Sequence, residues 1–286
     1  MMESGGKRDS ACLRVYNTIA AIRGAMTREQ ILYEDNDIIV CYKPAGIATQ
    51  TAKIGQRDMV SEVTNYPAGI RASGQRDAGQ SGPAAGVYVG CVHRLDQPVE
   101  GILVFARNQK AAGGLSRQIV ENRMDKYYYA VVSGDGPEAK EEQASKAGLH
   151  SVTDNVRKGM LTDYLIKDNQ TNMSRIVPSD ARGAKKAVLE YEMLKRAELP
   201  AFCSLVRVRL ITGRHHQIRV QMSHAGMSLL GDYKYADERT RKLSGAVQVK
   251  QVALCAYRLD FAHPQSGKRM SFQKEPEGDI FQKFSR

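Results

Sequence analysis

The stretch CVHRLDQPVEGILVFARN, Cys91 to Asn108, sets His93, Arg94 and Asp96 between two apolar runs, VYVGCV and ILVFA. Charged groups between two core strands are costly unless they are paired or used. A carboxylate held there needs a partner to stay ionised. Its simplest structural use is to cap a backbone N–H in a turn. A second junction, LITGRHHQIRVQMSHAG, supplies Thr212, Arg214, His215, His216, Gln217 and Arg219 as donors. Alternation of Val206, Val208 and Leu210 against Arg207 and Arg209 predicts a strand before it. Ile218, Met222 and Ala225 predict a helix after it, closed by Gly226. Arg219 then lies one turn beyond His215 and on the side of His216. Donors massed at a helix N-terminus suit an anion or a nucleic acid.

The rest of the chain reads as the frame for these two junctions. ILYEDNDIIVCYKPAG (31–46) is a hairpin with Asp35, Asn36 and Asp37 in its turn, stopped by Lys43-Pro-Ala-Gly. A short helix is expected near 58–66, then a loop rich in Gly, Gln and Ser to about 86. Strands follow at about 87–92 and 101–106. Ala111, Leu115 and Ile119 give 108–124 an amphipathic helical face, and Gly113 and Gly114 would mark its packing against the sheet. KYYYAVVSG (126–134), LTDYLIKD (161–168), AVLEYEML (187–194) and FCSLVRVRLITG (202–213) read as strands, with a polar loop over 135–160. A last hairpin spans 251–273, with its turn at Pro264–Gly267. Many strands and few helices imply an α+β fold on a large, mostly antiparallel sheet.

The 286 residues carry 42 Lys and Arg against 31 Asp and Glu, a net charge of +11. Such an excess favours polyanionic partners, nucleic acid first among them. The five cysteines, Cys12, Cys41, Cys91, Cys203 and Cys255, are scattered and form no CxxC, which argues against a disulfide framework or a structural zinc site. All but Cys12 sit in strand-like runs and read as core. No apolar run approaches the ~20 residues of a membrane span. The opening residues lack the apolar centre of a signal peptide, so a cytoplasmic location is expected. There is no Rossmann or phosphate-loop glycine pattern.

At the two junctions the chain resembles the RluA-type RNA pseudouridine synthases. Their HRLD is present as His93-Arg94-Leu95-Asp96, followed at the family's offset by Gly101. Their KxYxAxV strand is matched by Lys126, Tyr128, Ala130 and Val132, and their TGRxHQIRV by Thr212 to Val220. HAGMSLLGDYKY is similar to the family's HxGxP(I/L)xGDxxY, and YEDNDIIVCYKPAG to its opening strand pair. The likeness runs from about residue 31 to 273. Val99 and Glu100 stand where the family more often has Thr-Ser, and Gln221 where it has His. With about 30 residues before the first strand, an N-terminal S4 RNA-binding module has no room. The expected division is an extension over 1–29 and a catalytic domain over 30–286.

The resemblance implies isomerisation of uridine to pseudouridine in structured ribosomal or transfer RNA. The target base is flipped from its stack and no cofactor or metal takes part. Asp96 would be the catalytic carboxylate, as nucleophile towards the sugar or as base towards a glycal-like intermediate, with Arg219 as its counter-charge. Tyr128 would stack on the uracil or act as acid/base. Arg94 would assist flipping or fill the vacated space. His93, His216, Lys43 and Arg214 would bind or orient the RNA. The loops at 68–82 and 135–160 would grip phosphates. The expected partner is an RNA stem-loop, met by a monomer away from membranes. The competing readings are a catalytically silent RNA-binding or ribosome-assembly protein on the same fold, and a glycoside hydrolase. The latter fails for want of a second acidic residue in the matched motifs.

Overall fold

The computed structural model describes residues 26–53, 55–66, 88–133, 158–198 and 202–284. Eleven strands form one sheet in the order β1-β2-β4-β10-β5-β9-β8-β6-β7, with β11 added to β10 and β3 to β4. The first hairpin joins β1 (Ile31–Glu34) to β2 (Ile38–Lys43) across the acidic turn. The Oδ1 of Asp35 closes that turn by accepting from the N–H groups of Asp37 and Ile38. The two residues of β3 (Gly90–Cys91) lead through the HRLD segment into β4 (Glu100–Ala106). Beyond it come β5 (Asp125–Ser133), β6 (Lys158–Asp168), β7 (Met173–Ile176), β8 (Lys185–Glu198) and β9 (Phe202–Leu210). The chain then returns to the middle with β10 (Leu254–Ala262) and β11 (Arg269–Gln273).

Among the described strands the pairing is antiparallel except at the centre, where β4 and β10 run parallel. They approach so closely that a Cβ at Gly101 would lie 2.5 Å from the backbone of Ala256. With φ at +135° as well, this position demands glycine. The strand that leaves the HRLD turn is thereby fixed at the middle of the sheet.

Alternation along the strands sends side chains to two cores. One face packs Ile39, Leu103, Tyr128, Ala130, Val206 and Val208 against α1 (Met59–Asn65) and α3 (Gln217–His224). The other packs Val104, Val131, Tyr257 and Phe261 with α2 (Gln109–Val120), α4 (Glu238–Ala246) and α5 (Asp279–Gln282). Asp58, Asn108 and Asp237 cap α1, α2 and α4 by accepting from the third N–H beyond.

The structure departs from the sequence reading in several places. Lys158–Met160, expected in a loop, begin β6; β7 and α4 were not anticipated. Of the glycine pair in α2, only Gly114 packs closely, against Pro264, while Gly113 faces open space. Met26, inside the stretch expected as an extension, is buried in the first core. Cys41, Cys203 and Cys255 are buried and Cys91 half-buried, all as free thiols. Cys12 and the loops at 68–82 and 135–157 lie outside the described residues. Among the described residues no helix is long and apolar enough to cross a membrane.

Candidate active site

The turn from Asp96 to Val99 closes on a Val99 N–H to Asp96 carbonyl hydrogen bond of 3.0 Å. Its backbone is gripped from the loop after β2. Thr49 Oγ1 donates to the Leu95 carbonyl at 2.8 Å and accepts from the Leu95 N–H at 3.0 Å. The Gly46 N–H donates to the Gln97 carbonyl. Lys43 is fully buried, and its Nζ reaches the carbonyls of Pro44, Ile47 and Gln97 at 3.0, 2.6 and 3.0 Å. Burial lowers its pKa to about 7, against the pull of the Asp96 and Glu100 carboxylates. A lysine so enclosed cannot present its charge to an RNA phosphate. The expected RNA contact at Lys43 is therefore corrected: it ties the two loops together and places a cation behind Asp96.

His93 also faces inward. Its Nε2 accepts from the Val104 N–H at 3.1 Å. Burial, helped by the Lys126 ammonium, lowers its pKa to about 3 and keeps the ring neutral. It serves as a backbone clamp. Arg94, next in sequence, is exposed.

From the other side, Arg219 projects from α3 with 4% of its side chain exposed. Its Nε and Nη2 donate to the two oxygens of Asp232 at 2.7 and 2.8 Å, and its Nη1 donates to Asp96 Oδ2 at 3.1 Å. Asp232 is 1% exposed and Asp96 26%. Burial alone would lower the Arg219 pKa, but the two carboxylates outweigh it and leave it raised. Of the two acids sharing this guanidinium, one is sealed and one is open to a substrate.

His216 gives Asp96 a second neighbour, with Nε2 3.6 Å from Oδ2. It occupies the N-cap of α3 with φ at +53°, a left-handed conformation uncommon outside glycine. Its orientation follows from a chain of donors. The Ser174 N–H donates to the Tyr235 hydroxyl at 2.8 Å, and that hydroxyl lies 2.6 Å from His216 Nδ1. A neutral ring accepting there carries its proton on Nε2, facing Asp96. Burial lowers the His216 pKa to about 4, opposed by Asp96 and helped by Arg219. His215 stacks on His216 at 3.7 Å and bonds Ser174 Oγ through Nδ1 at 2.9 Å. Gln217 holds the turn before the helix, accepting from the Arg214 N–H and the Thr212 hydroxyl, both at 2.9 Å. The Arg214 side chain is exposed, with Nε on the Lys186 carbonyl.

Tyr128 rises from β5 into the same core cluster as Leu95 and Ile218. Its pKa is raised by burial and then by the nearby Asp96 charge. Among the described residues its hydroxyl has no protein hydrogen-bond partner, and it is not one of the fully enclosed unpaired atoms. The structure thus gathers Asp96, Tyr128, Arg219 and His216, leaves Arg94 and Arg214 exposed, buries Lys43 and half-buries His93. The sequence reading missed Asp232 and Tyr235 as site residues, although the GDYKY match contained both. It also found no second acid, which Asp232 supplies in a sealed position. Lys126 was quoted in a motif but given no role; its Nζ lies 3.6 Å from where a Cβ at Gly213 would be.

The unusual Val99 and Glu100 lie apart from this chemistry. Val99 is buried in the core around Tyr128. Glu100 accepts from the Tyr42 hydroxyl at 2.7 Å and from the N–H groups of Glu277 and Gly278 at 3.2 and 3.1 Å. It fastens the C-terminal segment rather than touching Asp96.

The profile of the family described as RNA pseudouridylate synthase matches residues 37–224, well over half the chain and including Asp96, Tyr128, His216 and Arg219. The chain belongs to this family. The family's reaction is the isomerisation of uridine in RNA to pseudouridine. Among curated relatives, the chain is 32% identical over 258 residues to the ribosomal large subunit pseudouridine synthase D of Zymomonas mobilis subsp. mobilis, covering 88% of this chain and 70% of that one. It is 28% identical over 258 residues to the tRNA pseudouridine synthase C of Pectobacterium carotovorum subsp. carotovorum, covering 86% and 59%. The fold resembles the solved human RNA Pseudouridylate Synthase Domain Containing 4, with a TM-score of 0.62 and 20% identity over 93% of this chain and 94% of that one. Its sheet is thus that of a pseudouridylate synthase.

Proposed function

We propose that this chain isomerises uridine in a folded ribosomal or transfer RNA, with Asp96 as the catalytic carboxylate. One observation carries the assignment of Asp96: of the two carboxylates sharing Arg219, only Asp96 is open to a substrate, while Asp232 is sealed at 1% exposure. The reaction breaks the N1–C1′ bond, turns the base, and forms C5–C1′. A proton leaves C5 and one is taken up at N1, so atoms balance without an external reagent. Asp96 acts on the sugar as nucleophile or base. Arg219 and the Nε2–H of His216 orient it and balance its charge.

Tyr128 presents its ring and free hydroxyl to the flipped uracil. Arg94 is exposed and fills the vacated stack. Arg214, exposed at the opposite turn, suits a phosphate. The names of the relatives support ribosomal or transfer RNA as the substrate class, and a cytoplasmic setting goes with such substrates. The test is incubation with unmodified large-subunit ribosomal and transfer RNA transcripts. Wild-type protein should form pseudouridine; Asp96→Asn should form none while still binding the RNA. Equal activity of the two proteins would refute the role of Asp96.

A further inference from the structure

The arginines on one face of the sheet are neutralised within the protein. On the side away from α3, Arg207 pairs with Glu192, Arg209 with Asp125 and Glu190, Arg258 with Asp260, and Arg269 with Asp125. The α3 side carries a different set. Leu165, Ala187 and Val220 form a small core there, so the odd-numbered residues of β6 and β8 point to that side. Lys167 follows Leu165 by two residues, and Lys185 stands directly opposite Leu165. The two lysines are diagonal neighbours, about 7–8 Å apart at Cβ. Both are exposed, and neither has an acidic partner among the described residues.

These lysines adjoin the active site. Lys167 is opposite Ser174 on β7, and Ser174 holds His215, whose ring stacks on His216 beside Asp96. Lys234 is also exposed, and among the described residues its Nζ donates to the Asn172 carbonyl at 3.3 Å and meets no carboxylate. It lies two residues beyond the Asp232 that grips Arg219. The nearby acids are engaged: Asp232 by Arg219, and Asp168 by Thr171 and the turn that follows.

We infer that Lys167, Lys185 and Lys234 form a phosphate-binding lip that holds the RNA backbone on the α3 side of the flipped uridine. The inference rests on the reading of this site as a pseudouridine synthase centre. With exposed Arg94, the lip gives the backbone positive groups to rest on while the target nucleotide dips to Asp96. Unpaired lysines one strand apart fit successive phosphates and carry no base readout. They add grip and orientation, and leave the choice of site to RNA shape.

The test is the salt dependence of RNA binding, read by fluorescence anisotropy on a labelled unmodified transfer RNA transcript and a large-subunit ribosomal RNA fragment. For Lys167→Glu/Lys185→Glu/Lys234→Glu, the slope of log affinity against log salt should shrink by about 2, with affinity at least about tenfold weaker near physiological salt. kcat/KM for pseudouridine formation should fall in parallel. The triple Lys→Arg variant should keep the wild-type slope. Lys110→Glu/Arg117→Glu, exposed on α2 on the far face, is the charge-reversal control and should change neither reading. Thermal melting separates misfolding from lost contacts. An unchanged slope in the folded triple Glu variant, or an equal loss in the α2 control, would overturn the lip. Failure of the wild type to form pseudouridine in either RNA would count against the enzymatic reading, and the binding slopes would still decide the lip.

Discussion

Arg219 holds Asp232 with two hydrogen bonds and turns its remaining amino group to Asp96. The sealed pair sets the guanidinium plane, and that plane fixes the Asp96 carboxylate. A lysine here would keep a charge but lose the fork. Arg219→Ala leaves Asp232 buried without its counter-charge, a loss of about 3–5 kcal/mol when one partner of a buried pair is removed. The variant should melt far below wild type and lose turnover. Arg219→Lys should recover much of the stability and little of the rate, as read by thermal melts beside pseudouridine assays.

The Tyr235 hydroxyl reaches Asp96 through His216. Tyr235→Phe removes the hydroxyl that fixes the His216 tautomer and also leaves the Ser174 N–H unpaired. The expected result is a lower kcat with little change in KM, and an acid limb of the rate profile moved to higher pH as the ring becomes easier to protonate. An unaltered pH profile would reduce Tyr235 to a packing role.

Tyr128→Phe keeps the buried ring and deletes only a hydroxyl that bonds to no protein group among the described residues. Stability should be nearly unchanged. The rate should fall by about 100-fold or more if the hydroxyl moves a proton. Near-wild-type turnover would assign Tyr128 to stacking alone.

Glu100→Ala should separate fold from chemistry. It removes the acceptor of the Gly278 N–H, and leaves the Tyr42 hydroxyl with Cys255 Sγ at 3.8 Å and the Glu277 N–H with the Tyr42 hydroxyl at 3.3 Å. Leaving such a group unsatisfied costs about 1–3 kcal/mol. The melting temperature should drop while the rate per folded molecule holds.

Two neutral histidines, His216 buried and His93 half-buried, predict acid sensitivity. The pKa of His93 is lowered to about 3 and that of His216 to about 4. Between about pH 6.5 and pH 4 the unfolded chain binds protons at both rings and the native chain does not. Stability therefore rises with pH across that window and is lost as pH falls. His93→Asn should make the melting temperature less dependent on pH from 6.5 to 4.5. A slope equal to wild type would show that His93 does not titrate on unfolding.

Much of this was legible because local pattern and tertiary role agree. Alternation in β9 and the period of α3 placed the two junctions, and the motif residues Asp96, Tyr128 and Arg219 converge in space. Lys43 misled because nothing local distinguishes a solvated lysine from one enclosed by three carbonyls; those carbonyls come from two separate loops. Asp232 and Tyr235 were hidden for a similar reason. Their value lies in contacts 13 and 19 residues away along the chain. β7 is four residues long and has too little pattern to read. The shared use of Ser174 by Tyr235 and His215 depends on a sheet edge that only the fold brings beside α3.

The most direct test of Asp96 as a pseudouridine-forming carboxylate is base-resolved pseudouridine mapping of total RNA from cells with the gene deleted, restored, or restored as Asp96→Asn. The expected result is one or a few sites lost on deletion, regained with the intact gene, and still absent with Asp96→Asn. Sites regained equally well with Asp96→Asn would contradict the assignment.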